Sequence, residues 1–321
     1  MEHNRICVAG SINVDLVAYL GDAQDTTRYA DGRGFQMSAG GKSLNTAMTI
    51  AALTPVQLLG RVGEDDFGAF IARTVATAGI GVNSLIFDPE AGTGIGHVRV
   101  SAAGEYDTVV IPGANHNFAA GDVDRFLEKN TAPDYAVLNL EVPLPTVRHA
   151  ALRFRALGAT VVLNLSPVQD GAMELLPLAD VVVLNREEAQ LVLGQTGEND
   201  SDQLLQALRD AGSLAAVLTL GSEGAAYIDG VGGTGRIHGT PAKVVNTIGA
   251  GDTFLGAFVA GLASGRTFAE ALIYADTAGR LVCVKSSSYL VGTDRPELEY
   301  LTRTSGRLTA PDLKASESTH G

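Results

Sequence analysis

One glycine turn in the sequence has the residue types that phosphate chemistry needs. Residues 244–258 read VVNTIGAGDTFLGAF, which predicts a short strand ending at Asn246, a turn, and a helix beginning near Gly251. Backbone N–H groups of Gly249, Ala250 and Gly251 would then lie at the positive end of a helix dipole. The turn therefore predicts an anion site.

Asp252, in the first turn of that predicted helix, has two interpretations. A carboxylate at this place stabilises a helix N-terminus through the exposed backbone N–H groups. A carboxylate beside a bound phosphate can also accept the proton of a hydroxyl group that attacks the phosphorus. The spacing alone leaves both interpretations open.

A second group of polar residues, near the N-terminus, has the types that bind sugar hydroxyls. Residues 38–47 read SAGGKSLNTA, where a predicted strand turns into a helix, and Asn13 and Asp15 follow the first predicted strand. These side chains offer hydrogen-bond donors and acceptors, and glycine lets a ligand approach the backbone. A helix start and a solvated turn are the corresponding structural interpretations.

Three other glycine motifs are rejected from their context. Residues 230–235 match the dinucleotide pattern GxGxxG, but residues 236–241 cannot form the helix that the pattern requires, so a hairpin turn is predicted. Residues 92–96 open a strand instead of a helix. The segment GKS at 41–43 resembles the end of a P-loop, but the first glycine of that motif would fall at Gln36.

The hydrophobic pattern predicts the elements that position these residues. From about residue 130, apolar strands alternate with amphipathic helices, which predicts a parallel sheet covered on both faces. Residues 185–188 and 219–224 follow two of these strands, at the edge where open α/β sheets bind ligands. Residues 35–38 and 96–111 alternate in polarity and predict a small antiparallel sheet that serves as a lid.

Composition narrows the class of protein. Of the 321 residues, 45% are hydrophobic and 18% charged, which favours a large folded α/β chain and excludes a disordered one. A net charge of −13 opposes nucleic-acid binding. The six histidines lack metal-ligand spacing, and the two cysteines lie in apolar runs and predict buried thiols. The sequence shows no membrane span or signal peptide, so a cytoplasmic protein is expected.

Taken together, the sequence resembles the ribokinase family of carbohydrate kinases, the PfkB type, over about residues 5–295. Both family signatures are present, AGGKSLN at 39–45 and NTIGAGD at 246–252. Five segments between them agree in order and spacing: GRVGEDDFG (60–68), PGAN (112–115), LEVP (140–143), LNLSP (163–167) and NREE (185–188). The double signature is specific for the family and less specific for the sugar.

The resemblance implies an α/β fold with a three-layer αβα body, a mostly parallel central sheet and a small β-sheet lid. The kinase domain would span residues 1–303, with lid strands at about 14–39 and 94–112. Residues 304–321 are expected to form a mobile tail. Lid sheets of this family often mediate dimers, so a homodimer through the lid is expected.

The resemblance also implies a role for each matching residue. Asp252 matches the catalytic base, and the turn Gly249, Ala250 and Gly251 matches the one that stabilises charge on the transferred phosphoryl group. The residues that match the family's positions for binding the pentose hydroxyls are Asn13, Asp15, Gly41, Lys42, Asn45, Glu141 and again Asp252. The residues that match nucleotide-binding positions are Asn185, Thr219, Gly221 and Gly224. Glu188 matches a position that binds Mg²⁺ through water.

Asn246 departs from the family pattern. Members usually carry aspartate there, where the carboxylate helps to bind an activating monovalent cation, and the neutral amide has no charge to offer. Residues 285–292 also lack the small-residue and glycine pattern of the loop that binds this cation. The sequence therefore predicts weakened or absent activation by potassium.

The leading hypothesis is ATP-dependent phosphorylation of a sugar hydroxymethyl group, O5 of D-ribose, giving D-ribose 5-phosphate. Related alternatives are kinases for a nucleoside, deoxyribose or fructose. A nucleoside base would need an apolar slot on the lid, for which only Phe35 and Met37 are candidates. A catalytically silent sugar-binding sensor is an alternative from another class, and the presence of Asp252 and its glycine turn argues against it.

Overall fold

Apolar runs form a central sheet of nine strands. The structure is a computed structural model that describes residues 5–21, 31–101, 106–197, 199–239, 244–285 and 287–304. The strands of this sheet are β1 (Ile6–Ala9), β4 (Gln57–Gly63), β5 (Leu85–Asp88), β8 (Tyr135–Asn139), β9 (Thr160–Asn164), β10 (Val181–Asn185), β11 (Ala215–Thr219), β12 (Gly224–Ile228) and β13 (Thr234–His238). Their order is β13-β12-β11-β10-β9-β8-β1-β4-β5, and the pairings from β11 to β5 are parallel. The mostly parallel sheet predicted from the sequence is confirmed.

Helices cover both faces of this sheet. They are α1 (Lys42–Ala51), α2 (Asp66–Thr77), α3 (Ala120–Lys129), α4 (Leu144–Ala156), α5 (Arg186–Leu193), α6 (Ser201–Asp210), α7 (Ala250–Ala263), α8 (Phe268–Cys283) and α9 (Arg295–Thr304). Side chains alternate along each strand, so in β1 Ile6 and Val8 join the core that contains α1, α2, α7, α8 and α9. Cys7 and Ala9 join the opposite core, with α3 to α6. This is the three-layer αβα body that was expected.

A second sheet of four strands forms the lid. It consists of β2 (Asn13–Leu20), β3 (Gly32–Gly40), β6 (Gly94–Val100) and β7 (Tyr106–Ile111), in the order β3-β2-β6-β7. The expected antiparallel pairing holds for β2 with β3 and for β6 with β7. The two middle strands, β2 and β6, are parallel, and they follow β1 and β5, which run in the same direction in the central sheet.

Three smaller expectations fare differently. The hairpin predicted at residues 230–235 is confirmed, since β12 and β13 pair antiparallel on either side of it. The strand predicted to end at Asn246 is wrong for the described residues 244–246, where the N–H groups of Val245 and Asn246 donate to the Cys283 carbonyl at the end of α8. The tail lies outside the described residues, apart from Thr304, which ends α9.

Two further findings concern the cysteines and the membrane. Cys7 is buried as expected, whereas Cys283 is only half-buried and borders a cavity. Burial raises the pKa of both thiols. Within the described ranges, no helix has the length and apolar character needed to cross a bilayer.

Candidate active site

The polar residues singled out in the sequence lie along one edge of the central sheet, where the parallel strands end. Glu141 follows β8, Asn185 ends β10 and Thr219 ends β11, while Asn13 begins the lid strand that follows β1. Helices α1 and α7 point their N-termini at the same edge. This is the crevice in which open α/β sheets bind ligands.

Asp15 lies on the lid strand β2 in a space that two glycines leave open. A Cβ atom at Gly96 would lie 2.5 Å from its Oδ1 atom, and one at Gly40 would overlap the carboxylate. Burial raises the pKa of Asp15 to about 7, and the negative charges of Glu141 and Asp252 act in the same direction. The ionised form of Asp15 is therefore poorly solvated, and hydrogen bonds donated by a ligand would favour it.

Gly41 and Lys42 begin α1 at the centre of the site. Gly41 has a φ of 91°, and a Cβ atom there would lie 2.8 Å from the backbone nitrogen of Asn13, so glycine is required for this approach. Burial lowers the pKa of Lys42, but the charges of Asp252, Glu141 and Glu188 outweigh that effect and raise it overall. Lys42 therefore remains a cation among acidic groups.

Glu141 is held in place by hydrogen bonds from neighbouring elements. Its Oε2 atom accepts from the Ser11 hydroxyl at 2.6 Å and from the Lys42 backbone N–H at 3.3 Å. Its own N–H donates to Asn139 Oδ1 at 2.9 Å, and Asn139 Nδ2 donates to Ser43 Oγ at 2.6 Å. The carboxylate is thus fixed against the start of α1, which agrees with a binding role.

Asp252 is oriented by a partner from α1. The Asn45 amide nitrogen donates to Asp252 Oδ2 at 2.9 Å, and both side chains are buried. The Asn45 oxygen is also buried, and it has no hydrogen-bond partner among the residues that the structure describes. Asp252 lies in the first turn of α7, so its charge also favours the start of that helix. Among the described residues, however, no backbone N–H donates to its carboxylate, and the partner that orients it comes from α1.

The glycine turn before Asp252 presents backbone N–H groups, with one exception. Gly249 has a φ of 75°, and a Cβ atom there would overlap the Ser288 carbonyl oxygen. The N–H groups of Gly249, Gly251 and Asp252 have no partner in the described chain. The Ala250 N–H, expected to be available, instead donates to the Thr247 carbonyl at 3.2 Å because the turn closes on itself there. Of the three predicted donors, only the N–H groups of Gly249 and Gly251 are therefore available to an anion.

Three of the residues predicted to contact a nucleotide line a cavity of about 560 Å³ next to this turn. Thr219, Gly221 and Gly224 form one wall, and Ala250 and Gly251 lie at the end that faces Asp252. Residues of α8 also line it, and Arg280 there donates to the carbonyls of Gly221 and Ser222 at 3.3 and 3.2 Å and to Asp276 at 2.8 Å. The cavity is therefore large enough and suitably placed for an elongated phosphate ester.

Asn185 and Glu188 form a capping box at the start of α5. The Asn185 oxygen accepts from the Glu188 N–H, and Glu188 Oε2 accepts from the Asn185 N–H, both at 2.8 Å. Asn185 also lines a smaller cavity together with Thr219 and Gly221. Glu188 is close enough to influence the pKa of Lys42, so its charge belongs to the site.

Asn246 lies just before the glycine turn, with its side chain in a local hydrogen bond. Its Oδ1 atom accepts from the Ile248 N–H at 2.9 Å, which closes a local turn. With Asp15 and Val17, it lines a separate cavity of about 430 Å³ between lid and body. In the loop predicted to be degenerate, the Lys285 ammonium pairs with Asp294 and lies 3.5 Å from Glu297.

Sequence reasoning missed several residues that build this site: Ser11, Gly94, Gly96, Asn115 and Asn139. The glycines had a signal, because Gly92, Gly94 and Gly96 are spaced by two and a strand places such residues on one face. A strand face that carries only glycines leaves space for side chains of the neighbouring strand, which here are Asn13 and Asp15. The other three lie at or just after strand ends or in a turn, where their types alone do not distinguish binding from capping.

Comparison with known proteins agrees with this geometry. The sequence model described as pfkB family carbohydrate kinase matches residues 3–293. The chain therefore belongs to this family of carbohydrate kinases, and it is a phosphotransferase that acts on an alcohol group. The resemblance drawn from the two glycine signatures is confirmed.

Individual relatives are similar over most of the chain. A ribokinase of Haemophilus influenzae is 29% identical over 300 residues, which cover 92% of this chain and 98% of that protein. A deoxyribokinase of Salmonella typhi is 30% identical over 260 residues, covering 79% and 84%. The structure of an Arabidopsis thaliana ribokinase complexed with ribose and ATP has a TM-score of 0.80 and 24% identity, covering 92% of this chain and 99% of that one. The last comparison confirms the fold.

Proposed function

We propose that this protein phosphorylates the O5 hydroxyl of D-ribose with ATP, giving D-ribose 5-phosphate and ADP. The observation that carries the proposal is the position of Asp252. Its carboxylate is oriented by Asn45 and lies between the glycine turn and the polar cluster around Asp15, Lys42 and Glu141. A sugar in that cluster would place a hydroxyl group beside both the carboxylate and the phosphate turn.

Each side of the site has its part in the transfer. Asp252 accepts the proton of the sugar hydroxyl while that oxygen forms a bond to the γ-phosphorus, and the bond from phosphorus to the bridging oxygen breaks, releasing ADP. The N–H groups of Gly249 and Gly251 stabilise the charge on the transferred group. The sugar is held by Asn13, Asp15, Gly41, Lys42, Asn45 and Glu141, and closure of the lid excludes water.

The nucleotide would occupy the 560 Å³ cavity, with its phosphates toward α7. The nucleoside would then contact Thr219, Gly221 and Gly224. Asn185 lines the adjoining cavity. The ribokinase structure that contains both ribose and ATP supports ATP as the phosphoryl donor. An acidic protein can bind ATP in this way because backbone N–H groups, not a basic surface, meet the phosphates.

Magnesium fits the donor set only in an indirect role. The described residues contain no group of three or more His, Cys, Asp or Glu side chains placed to hold a metal ion. One Glu188 oxygen is occupied by the capping box, which leaves the other for a water ligand of the ion. When bound to the nucleotide, Mg²⁺ supplies neutralisation of phosphate charge.

The sugar is the least constrained part of the proposal, because the relatives include both a ribokinase and a deoxyribokinase. The test is a coupled assay of ADP release with D-ribose, 2-deoxy-D-ribose, D-fructose and purine nucleosides. We expect the highest kcat/KM with D-ribose. A higher value for another compound would replace ribose by that substrate, and no ADP release with any of them would favour the sugar-binding sensor.

Activation by potassium is expected to be weak or absent. Asn246 carries no charge, and its side-chain oxygen accepts a hydrogen bond from the Ile248 N–H. In the neighbouring loop, the Lys285 ammonium pairs with Asp294. Adding KCl to a buffer free of Na⁺ and K⁺ should therefore change turnover little. Tetramethylammonium chloride at the same concentration is the control for ionic strength. A many-fold rise that is specific to K⁺ would contradict this prediction.

We propose that the protein forms a homodimer through the outer face of the lid. Phe35, Met37, Val109 and Ile111 lie on the face opposite Asp15, and their exposed fractions are 67, 42, 57 and 48%. An apolar sheet face of this kind is unfavourable in water unless another surface covers it. Phe35→Asp should therefore yield monomers in light scattering, whereas Val231→Asp, at an exposed hairpin tip, should not. A monomeric wild type would refute the dimer.

A further inference from the structure

Asn115 is a buried amide with a fixed orientation. It lies in the short turn Gly113–Asn117 after β7, and its side chain pairs with the backbone of Ile12. Its Oδ1 atom accepts from the Ile12 N–H at 2.9 Å, and its Nδ2 atom donates to the Ile12 carbonyl at 3.1 Å. Because a backbone N–H only donates and a carbonyl only accepts, this pairing determines which end of the amide is oxygen and which is nitrogen.

The same nitrogen determines the orientation of Asn13. Asn115 Nδ2 also donates to Asn13 Oδ1 at 2.7 Å. Since an amide nitrogen cannot accept, Asn13 must turn its oxygen toward Asn115 and keep its NH₂ group for other partners. No described residue accepts a hydrogen bond from that NH₂ group. Gly94 makes the contact possible, because a Cβ atom there would overlap both amides.

We propose that Asn115 is a positioning residue that makes Asn13 a hydrogen-bond donor toward the substrate. Asn13 and Asp15 are two residues apart on β2 and so share the face that lines the site. Asn13 then donates to the oxygen of a sugar hydroxyl, and the hydrogen of that hydroxyl, or of its neighbour, is donated to Asp15. This inference rests on the proposed function, in which a pentose binds at this edge of the lid.

A consequence is discrimination against a deoxy sugar. A pentose that lacks the recognised hydroxyl leaves a buried donor and a buried acceptor without partners, which a polar site penalises strongly. The wild-type enzyme should therefore prefer D-ribose over at least one of 2-deoxy-D-ribose and 3-deoxy-D-ribose. The preference depends on the donor orientation of Asn13, and so on Asn115.

The test is Asn115→Asp, assayed with ribose and the two deoxy sugars. The new carboxylate can only accept, so the Asn13 amide rotates to donate to it and turns its oxygen toward the sugar. We expect the KM for ribose to rise about 10- to 100-fold and the preference over the deoxy sugar to fall about tenfold or more. The KM for ATP should stay the same, which a general loss of structure would not allow.

A second variant and a control make the result decisive. Asn13→Asp also offers an acceptor to the sugar and leaves Asn115 untouched, so it should show the same loss of preference even if Asn115→Asp does not fold. Asn117→Ala removes another amide of the same turn, whose partner is Asp88 at 3.0 Å, and should leave the KM for ribose unchanged. Unchanged preference in a folded Asn115→Asp or in Asn13→Asp, or a wild type that accepts all three pentoses equally, would overturn the inference. A wild type inactive on every pentose would overturn the proposed function instead.

Discussion

Replacement of Asp252 by asparagine is expected to lower kcat about 10²- to 10⁴-fold, the usual contribution of a general base. The fold should survive, because the new side chain keeps an oxygen that can accept from Asn45 Nδ2 where Asp252 accepts now. Binding of ribose, measured by calorimetry, should persist, since the other polar groups of the site are unchanged. The expected pattern is thus a loss of turnover without a loss of binding.

The control for this experiment is Asp210→Asn. Asp210 is an exposed carboxylate at the end of α6 that accepts from Gln206 at 2.8 Å, so the same chemical change there should leave turnover unaffected. If Asp252→Asn retains wild-type turnover, Asp252 is not the base. If the variant neither binds ribose nor melts at the wild-type temperature, the substitution has damaged the fold, and Asp252→Glu would then be measured for partial turnover.

Asp15→Asn is expected to weaken substrate binding and stabilise the free protein. The carboxylate is the acceptor for sugar hydroxyls on the lid, so its loss should raise the KM for ribose about 10- to 100-fold. Without a sugar to donate to it, the ionised carboxylate lowers the stability of the protein, because burial and the charges of Glu141 and Asp252 disfavour that form. A neutral amide of the same shape removes that cost.

The effect of Asp15 on the free energy of unfolding depends on pH. The folded-state pKa of Asp15 is raised from 3.8 to about 7, so between these values the folded protein binds more protons than the unfolded chain. Its contribution to the free energy of unfolding therefore falls as pH rises from about 4 to about 7 and is constant above. The free energy of unfolding of Asp15→Asn should therefore exceed that of wild type by about 2–3 kcal/mol more at pH 8 than at pH 5.

Urea denaturation of both proteins at pH 5 and pH 8 measures this difference. Asp134→Asn serves as the control, because Asp134 is a surface carboxylate paired with Arg5, and its replacement should give the same small change at both pH values. A stability difference between Asp15→Asn and wild type that does not depend on pH would contradict the raised pKa. Such a result would leave the effect on KM as a separate question.

Part of the site could be predicted because its signals are local. The glycine turn, Asp252 and the following apolar face occupy one stretch of sequence, and so do Gly41, Lys42 and Asn45. A turn followed by a helix is specified mainly by neighbouring residues, so its residues keep their relative positions in the fold. The strand predicted before Asn246 was wrong because strand formation needs a partner that the segment itself does not supply.

Hydrogen bonds between distant segments could not be predicted in the same way. Asn45 and Asp252 are 207 residues apart, and Asn13 and Asn115 are 102 apart, so their contacts depend on the path of the whole chain. The use of the Ala250 N–H within its own turn is likewise a matter of backbone closure. The roles of Gly94 and Gly96 depend on which strand lies beside them.

The sequence by itself determined the α/β class, the mostly parallel sheet, the two glycine signatures and the family of carbohydrate kinases. These follow from periodicity and from short motifs, which are properties of neighbouring residues. Only the tertiary structure decided that Asp252 is oriented by Asn45, that Asp15 lies against two glycines, and that Asn115 donates to the Asn13 amide oxygen. The physical reason is that hydrogen-bond direction and desolvation are set by whichever groups the fold brings together.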